Sequence, residues 1–188
     1  MTHDVIVLLS ALGVVGQVLA GLLLLVGLVW LFGLRGPGDA VRAALEGYEL
    51  WLVFLVSSIA TGGSLFFSEI AGFVPCELCW FQRICMYPLT IVTLLAALAN
   101  DRRVCRYLLP LPLVGAGISV YHLLVENHVV KQAQACLISA PGGCATKWID
   151  EFGYMTIPTL ALTAFALCFE LLLLGALPPV ARATVKAS

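Results

Sequence analysis

Five stretches of this chain are each long and apolar enough to cross a bilayer as a helix, which takes about 20 residues. They cover residues 5–34, 50–67, a third that starts within 76–80 and continues through 99, 107–125, and 156–177. Hydrocarbon offers no partner to backbone N–H and C=O groups, so each stretch is predicted to be helical. The first carries no charge and only Ser10 and Gln17 as polar side chains. Its start, Met1-Thr2-His3-Asp4, lacks Lys and Arg, and its apolar run is too long for a secretory signal, so it counts as a span.

With 61% hydrophobic and 11% charged residues, the chain holds roughly half the charge of an average soluble domain. It could not cover a water-facing surface, so lipid is its solvent. A net charge of -1 gives no reason to expect a nucleic-acid partner. No hydrophilic stretch is long enough to fold alone. The prediction is one compact, all-α integral membrane protein.

Lys and Arg placement sets the orientation of such a protein. Arg35, Arg42, Arg102, Arg103, Arg106, Arg182 and Lys186 fall on one side and Lys131 and Lys147 on the other, with Arg83 inside the third span. The excess puts the amino terminus outside and the carboxyl terminus in the cytoplasm. Four of the seven cysteines then share the outer, oxidising face: Cys76 and Cys79 where span three begins, Cys136 and Cys144 in the loop 126–155. Cys85, Cys105 and Cys168 are read as packing.

Val74-Pro75-Cys76-Glu77-Leu78-Cys79-Trp80-Phe81-Gln82-Arg83 carries the most chemistry. Pro75 suits a helix start, which places both cysteines in the first turn on nearly one face. Free N–H groups and the positive helix end favour thiolate there. Arg83 lies one turn beyond Cys79 on the same face, where a guanidinium can stabilise the thiolate and donate to a carbonyl acceptor. Gln82 adds an amide beside it. A structural crosslink explains the cysteine pair but not the charge below it.

Pro141-Gly142-Gly143 reads as a turn able to bring Cys136 and Cys144 together. Taken alone this pair is a loop staple; beside the first pair it reads as a second exchangeable disulfide. Zinc is a further use of four outer cysteines, but seven residues separate the second pair where two to four are usual, and no metal is assigned.

A dithiol–disulfide relay needs a terminal acceptor. No dinucleotide fingerprint, P-loop or haem-attachment motif is present. The outer segments are too short for a flavin or thioredoxin-like domain. The remaining acceptor arrives through the bilayer, and a quinone fits: two electrons, two carbonyl oxygens and an apolar tail. His122 is at a depth to donate to its second carbonyl, or else pairs with Glu126 one turn on. Tyr121, Trp80 and Trp148 are candidates to line a ring pocket. His3 and His128 have no evident companions, and Glu170 is expected to snorkel or pair with a neighbouring helix.

Cys76-x-Leu78-Cys79-x-x-Gln82-Arg83 resembles the signature of the DsbB family of quinone-linked, disulfide-forming membrane proteins, including its short Gram-positive, BdbC-like members. The similarity continues through Tyr121-His122, Cys136, Cys144, Trp148, and Gly153 to Ile157-Pro158, covering roughly residues 50–177. It implies a four-helix transmembrane bundle in a bacterial cytoplasmic membrane, with both cysteine pairs at the outer end. By the resemblance, Cys136 forms a mixed disulfide with a DsbA-like thioredoxin-fold thiol oxidase, and Cys144 pairs transiently with Cys76. Cys79 then faces the quinone, ubiquinone or menaquinone, with Arg83 polarising it and Gln82 and His122 beside it.

The chain accordingly divides into an additional first helix with a cytoplasmic linker (1–49), the bundle (50–177) and a cytoplasmic tail (178–188). The first helix has no counterpart in the four-helix pattern; a lipid-facing or partner-contacting addition is expected. Two alternatives stay open. One is a relative of vitamin K epoxide reductase, in which the loop pair precedes the Cys-x-x-Cys rather than following it. The other is a non-catalytic scaffold with structural disulfides.

Overall fold

The computed structural model describes residues 2–33 and 35–178. Leu34, where the first span was expected to end, lies outside the described residues, as do the side chain of Arg35 and the tail from 179 on, with Arg182 and Lys186. The elements in order are α1 (Thr2–Leu31), α2 (Arg35–Leu45), α3 (Glu49–Leu65) continued by a π-turn (Phe66–Ile70), and α4 (Glu77–Ala99). They are followed by α5 (Val104–Leu108), α6 (Pro110–Glu126), α7 (Gln134–Ser139), a 3₁₀ turn (Gly143–Ala145) and α8 (Ile157–Ala176). Five helical stretches are long and apolar enough to span a membrane: Thr2–Leu31, Glu49–Ile70, Glu77–Ala99, Val104–Glu126 and Ile157–Ala176.

Two differences from the predicted spans have local causes. The fourth span starts earlier, at Val104, and is divided into α5 and α6 because Pro110 lacks the N–H that would join them in one ladder. The linker after span one contains a helix, α2, which packs on the end of α1. There Trp30 Nε1 donates to Asp39 Oδ1 at 3.1 Å, and the Arg42 guanidinium sits 5.6 Å from the Trp30 ring centre.

Helices α3, α4, α6 and α8 close a ring, α3 packing on α4 and α8 and α6 on the same two. Val53, Leu89, Phe165 and Leu172 fill its centre, joined by Cys85, Cys105 and Cys168 as expected of packing cysteines. At one end of the ring Arg102 bonds Glu49 at 2.6 Å and approaches Glu46 at 3.6 Å. The other end carries both cysteine pairs.

Helix α1 lies outside the ring, parallel to α8. Its Gly13 and Gly16 meet Leu160, Thr163 and Leu167 of α8. Apolar burial does not drive helices together in lipid, so the close approach that small residues permit supplies the contact. Higher up, Leu9 reaches Gly63 of α3, and Ile6 packs with Phe67 and Ile149.

Gly115 holds α6 against α8: a Cβ there would run into the ring of Phe165, which is fully buried. Gly115→Val is expected to destabilise the protein by about 1–3 kcal/mol through overpacking, read as a lower thermal midpoint in detergent. The strain would reach the cysteine end, because the Gly115 carbonyl accepts from Ser119, which in turn accepts from Gln82.

Candidate functional site

Cys76 is the N-cap of α4 rather than a residue of its first turn. Its backbone is extended, and its sulfur accepts the Cys79 N–H at 3.4 Å, the role an oxygen plays in an ordinary cap. The two sulfurs lie 3.0 Å apart, so the pair can join or part with little backbone motion. Cys76 is 3% exposed. Its thiol is held well below the ordinary range, first by a hydrogen bond from the Cys79 thiol and then by His122, against burial, which pulls the other way.

Cys136, in α7, and Cys144, in the 3₁₀ turn, are joined by a disulfide with a Cα–Cα distance of 5.3 Å. The predicted turn between them works through Gly142 and Gly143, whose φ values of 79° and 73° suit glycine alone. The loop is docked rather than free. Ser139 Oγ accepts the Glu77 N–H at 3.1 Å, tying α7 to the start of α4, and Gln132 Oε1 accepts the Cys144 N–H at 3.0 Å. Cys76, Cys136 and Cys144 therefore pack in one buried cluster with Leu78, Val125 and Ala140.

His122, expected near an acceptor carbonyl, stands between the two cysteine pairs. Its Nε2 is 3.7 Å from the Cys76 sulfur and 3.1 Å from the Cys144 carbonyl oxygen. Nδ1 is buried with no hydrogen-bond partner among the described residues, which favours the tautomer with the proton on Nε2. Glu126 does not take the histidine as its hydrogen-bond partner but accepts from Thr156 Oγ1 at 2.8 Å. His3 has a companion after all, Glu151 at 4.0 Å. Glu170 keeps one buried carboxylate oxygen without a partner among the described residues.

Arg83 does not snorkel. It is 9% exposed, its Nε donates to Ser64 Oγ at 2.9 Å and its Nη2 to the Ser64 carbonyl at 2.8 Å. Its guanidinium carbon sits 5.1 Å from the Trp80 ring centre. Gln82 is turned toward α6, where its Nε2 donates to Ser119 Oγ at 3.1 Å. Beside these groups opens a cavity of about 290 Å³, bordered by Cys79, Gln82, Arg83 and Ser64 and otherwise mostly by apolar side chains, with Ser68, Tyr87 and Thr163 among them. Phe67, Phe73 and Trp148 also border it, stacked with ring centres 6.0 and 5.2 Å apart. His122, Tyr121 and Trp80 do not line it, while Trp148 does.

Ser64, Ser119, Ser139 and Gln132 were not singled out in the sequence. For Ser64 and Ser119 a signal existed: polar side chains inside apolar spans need partners. For the loop residues none did, since polar loop residues are the rule. Cys76, Cys79 and His122 also offer ligand atoms within 4.8 Å of one another. The loop cysteines, bonded to each other, do not complete a four-thiolate metal site with the first pair.

A helical bundle crossing the membrane and holding two cysteine pairs at one end belongs with the membrane proteins of disulfide chemistry. Residues 48–175 match the family described as disulfide bond formation protein DsbB, and the chain belongs to that family. It is 44% identical over 121 residues to disulfide bond formation protein C of Bacillus subtilis (strain 168), covering 64% of this chain and 84% of that protein. It is 43% identical over 131 residues to a probable disulfide formation protein of Deinococcus radiodurans, covering 66% and 86%. A probable disulfide formation protein of Metapseudomonas resinovorans is 39% identical over 126 residues, covering 66% and 87%. No solved structure matches the chain. The protein is a multi-pass membrane oxidoreductase of disulfide bond formation.

Proposed function

We propose that this protein reoxidises a DsbA-like thioredoxin-fold thiol oxidase at the outer face of a bacterial cytoplasmic membrane and delivers the electrons to a membrane quinone. The observation that carries the reading is the cavity that Cys79, Gln82 and Arg83 border together with mostly apolar side chains. That donor set fits a quinone: a redox sulfur and a fixed cation where polar ring oxygens come to rest, and hydrocarbon walls for the rest. A bound quinone supplies a two-electron, two-proton acceptor; the rest of the work falls to the chain.

Each exchange breaks one S–S bond and makes another, a thiolate attacking and a thiolate leaving. A partner thiolate attacks Cys136, and Cys144 leaves; the second partner thiol then releases Cys136 and closes the partner's disulfide. The reduced loop pair attacks the oxidised Cys76–Cys79 pair through Cys144, at Cys76, and Cys79 leaves. His122 bridges this junction: its Nε2–H donates to the Cys144 carbonyl and lies 3.7 Å from the Cys76 sulfur, where it steadies negative charge on Cys76. Cys76 competes with Cys79 for negative charge in the dithiol, being the acceptor of their hydrogen bond. Once Cys76 is bonded to Cys144 that competition ends, and charge collects on Cys79, one turn above Arg83. Cys136 then re-forms the loop disulfide, Cys76 is freed to rejoin Cys79, and two electrons and two protons leave through the cavity.

The division into an added helix and linker (1–49), a bundle (50–177) and a tail (178–188) belongs to this reading, with the linker and tail in the cytoplasm. The test is purified protein with a reduced thioredoxin-fold oxidase and a ubiquinone or menaquinone analogue. Partner oxidation that depends on added quinone is expected. No turnover with either analogue would return the chain to a scaffold with structural disulfides. Thiol labelling of intact cells should reach the loop pair from outside after reduction; protection from an impermeant reagent would reverse the orientation.

A further inference from the structure

We infer that α1, the helix added ahead of the family bundle, is the side wall of the acceptor cavity and sets which quinone tails the protein accepts. The family match begins at residue 48, so α1 and α2 precede it. Nevertheless Leu9, Leu12, Gly13, Val15, Gly16 and Leu19 of α1 border the same cavity as Cys79 and Arg83. This inference rests on the quinone reading above.

Two adjacent ridges of α1 divide the work. Gly13 and Gly16 press against Leu160, Thr163 and Leu167 and fix the helix on α8. Leu12, Val15 and Leu19, one turn apart along the neighbouring ridge, are about half exposed and face the cavity with their branched ends. From Leu9 to Leu19 this wall runs for about 15 Å along the helix. The cavity is lined by the polar groups of α4, by α3 and α8, and on the α1 side only by aliphatic side chains and glycine. A polar head with a long hydrocarbon tail matches that lining; a tailless acceptor would use only its polar side.

The outer end of the wall is pinned. Ile6 packs with Phe67 and Ile149, and Leu9, Phe73 and Leu160 join them, so α1 meets the aromatic stack that borders the cavity. Tyr154 donates to Gln17 Oε1 at 3.0 Å, a second tie between α1 and the loop before α8. Gln17 is the polar residue deepest in α1, and its partner holds it off the cavity face. At the far end α2 clasps Trp30 through Asp39 and Arg42. A helix tied to the bundle at its outer end and middle, and held by α2 at its inner end, is a fixed wall on one side, while its other faces, Leu8, Val18, Leu22 and Leu25 among them, stay exposed toward lipid.

The experiment has two arms on the full chain. In the first, a long-tailed quinone carrying a photoreactive group on its tail is irradiated with the protein, and labelled peptides are mapped by mass spectrometry. Labels on 9–19 are expected, competed by unmodified quinone. In the second, the variant Leu12→Ala/Val15→Ala/Leu19→Ala is compared with the parent on a long-tailed and a tailless quinone. KM for the long-tailed substrate should rise about tenfold with kcat unchanged, while the tailless substrate is reduced as before, which also shows that the variant is folded. Labelling confined to α3, α4 and α8, with an unchanged KM in the variant, would overturn the role of α1 and leave the quinone reading standing. A parent protein that neither binds the photoprobe nor reduces either quinone would overturn both.

Discussion

Cys79→Ser is expected to end steady-state quinone reduction, a fall of about 10³-fold or more, while one equivalent of partner dithiol per protein is still oxidised. The loop disulfide between Cys136 and Cys144 does not depend on Cys79 and can accept one pair of electrons. Serine keeps the shape of the α4 start, where the cap is made by the Cys76 sulfur on the backbone N–H of residue 79, not by the side chain of that residue. What it removes is the sulfur that borders the cavity. Acid quenching followed by mass-tagged alkylation would count partner thiols against time. A burst of one equivalent and then a plateau is the expected trace. Continued turnover would take Cys79 out of the relay, and the absence of the first equivalent would take the loop pair out of its receiving role.

Arg83→Gln is expected to lower quinone reduction by about 10²-fold, the scale on which a lost electrostatic contact to developing charge is felt in a site shielded from water. Its effect on folding should be smaller, about 1–3 kcal/mol, from the two hydrogen bonds it makes to Ser64. Arg83→Lys keeps the charge but not the fork that grips both the hydroxyl and the carbonyl of Ser64, so an intermediate rate is expected. Ser64→Ala separates the two roles, for it removes one of those bonds and leaves the charge in place. Rates from stopped-flow quinone absorbance and midpoints from thermal unfolding, taken on the same samples, decide the matter. A rate that falls only in step with stability across all three variants would make Arg83 a structural brace between α3 and α4.

Much of this was legible before any coordinates. Hydropathy is a local property, so the five spans emerge from composition, and a Pro-Cys-x-x-Cys ahead of an apolar run marks a helix start wherever the chain goes. The spacing from Cys79 to Arg83 is fixed by helical geometry and needs no neighbour. The pairing of Cys136 with Cys144 was legible as a possibility, because two glycines between them permit the left-handed turn that closes it.

Other features depended on how the helices rotate against one another. His122 lies at the cysteine end of its span, yet its direction follows from the packing of α6 on α4, which turns it to Cys76 and the Cys144 carbonyl and away from the cavity. Ser64 and Ser139 became partners of Arg83 and Glu77 only when segments 19 and 62 residues apart met. Helix α1 carries the least local sign of its packing. It is apolar on all sides, so no periodicity announces which face is buried, and only the meeting of Gly13 and Gly16 with α8 selects it.

The sequence alone therefore determined the number of spans, their helical form, and a cysteine pair with a guanidinium one turn along the same face, since each follows from residues within a few positions of one another. The tertiary structure decided the docking of the loop disulfide on α4, the seat of His122 between the pairs, and the part of α1 in enclosing the cavity. Those are contacts between distant segments in lipid, where close packing and a few polar ties, rather than a hydrophobic pattern readable along the chain, choose which faces meet.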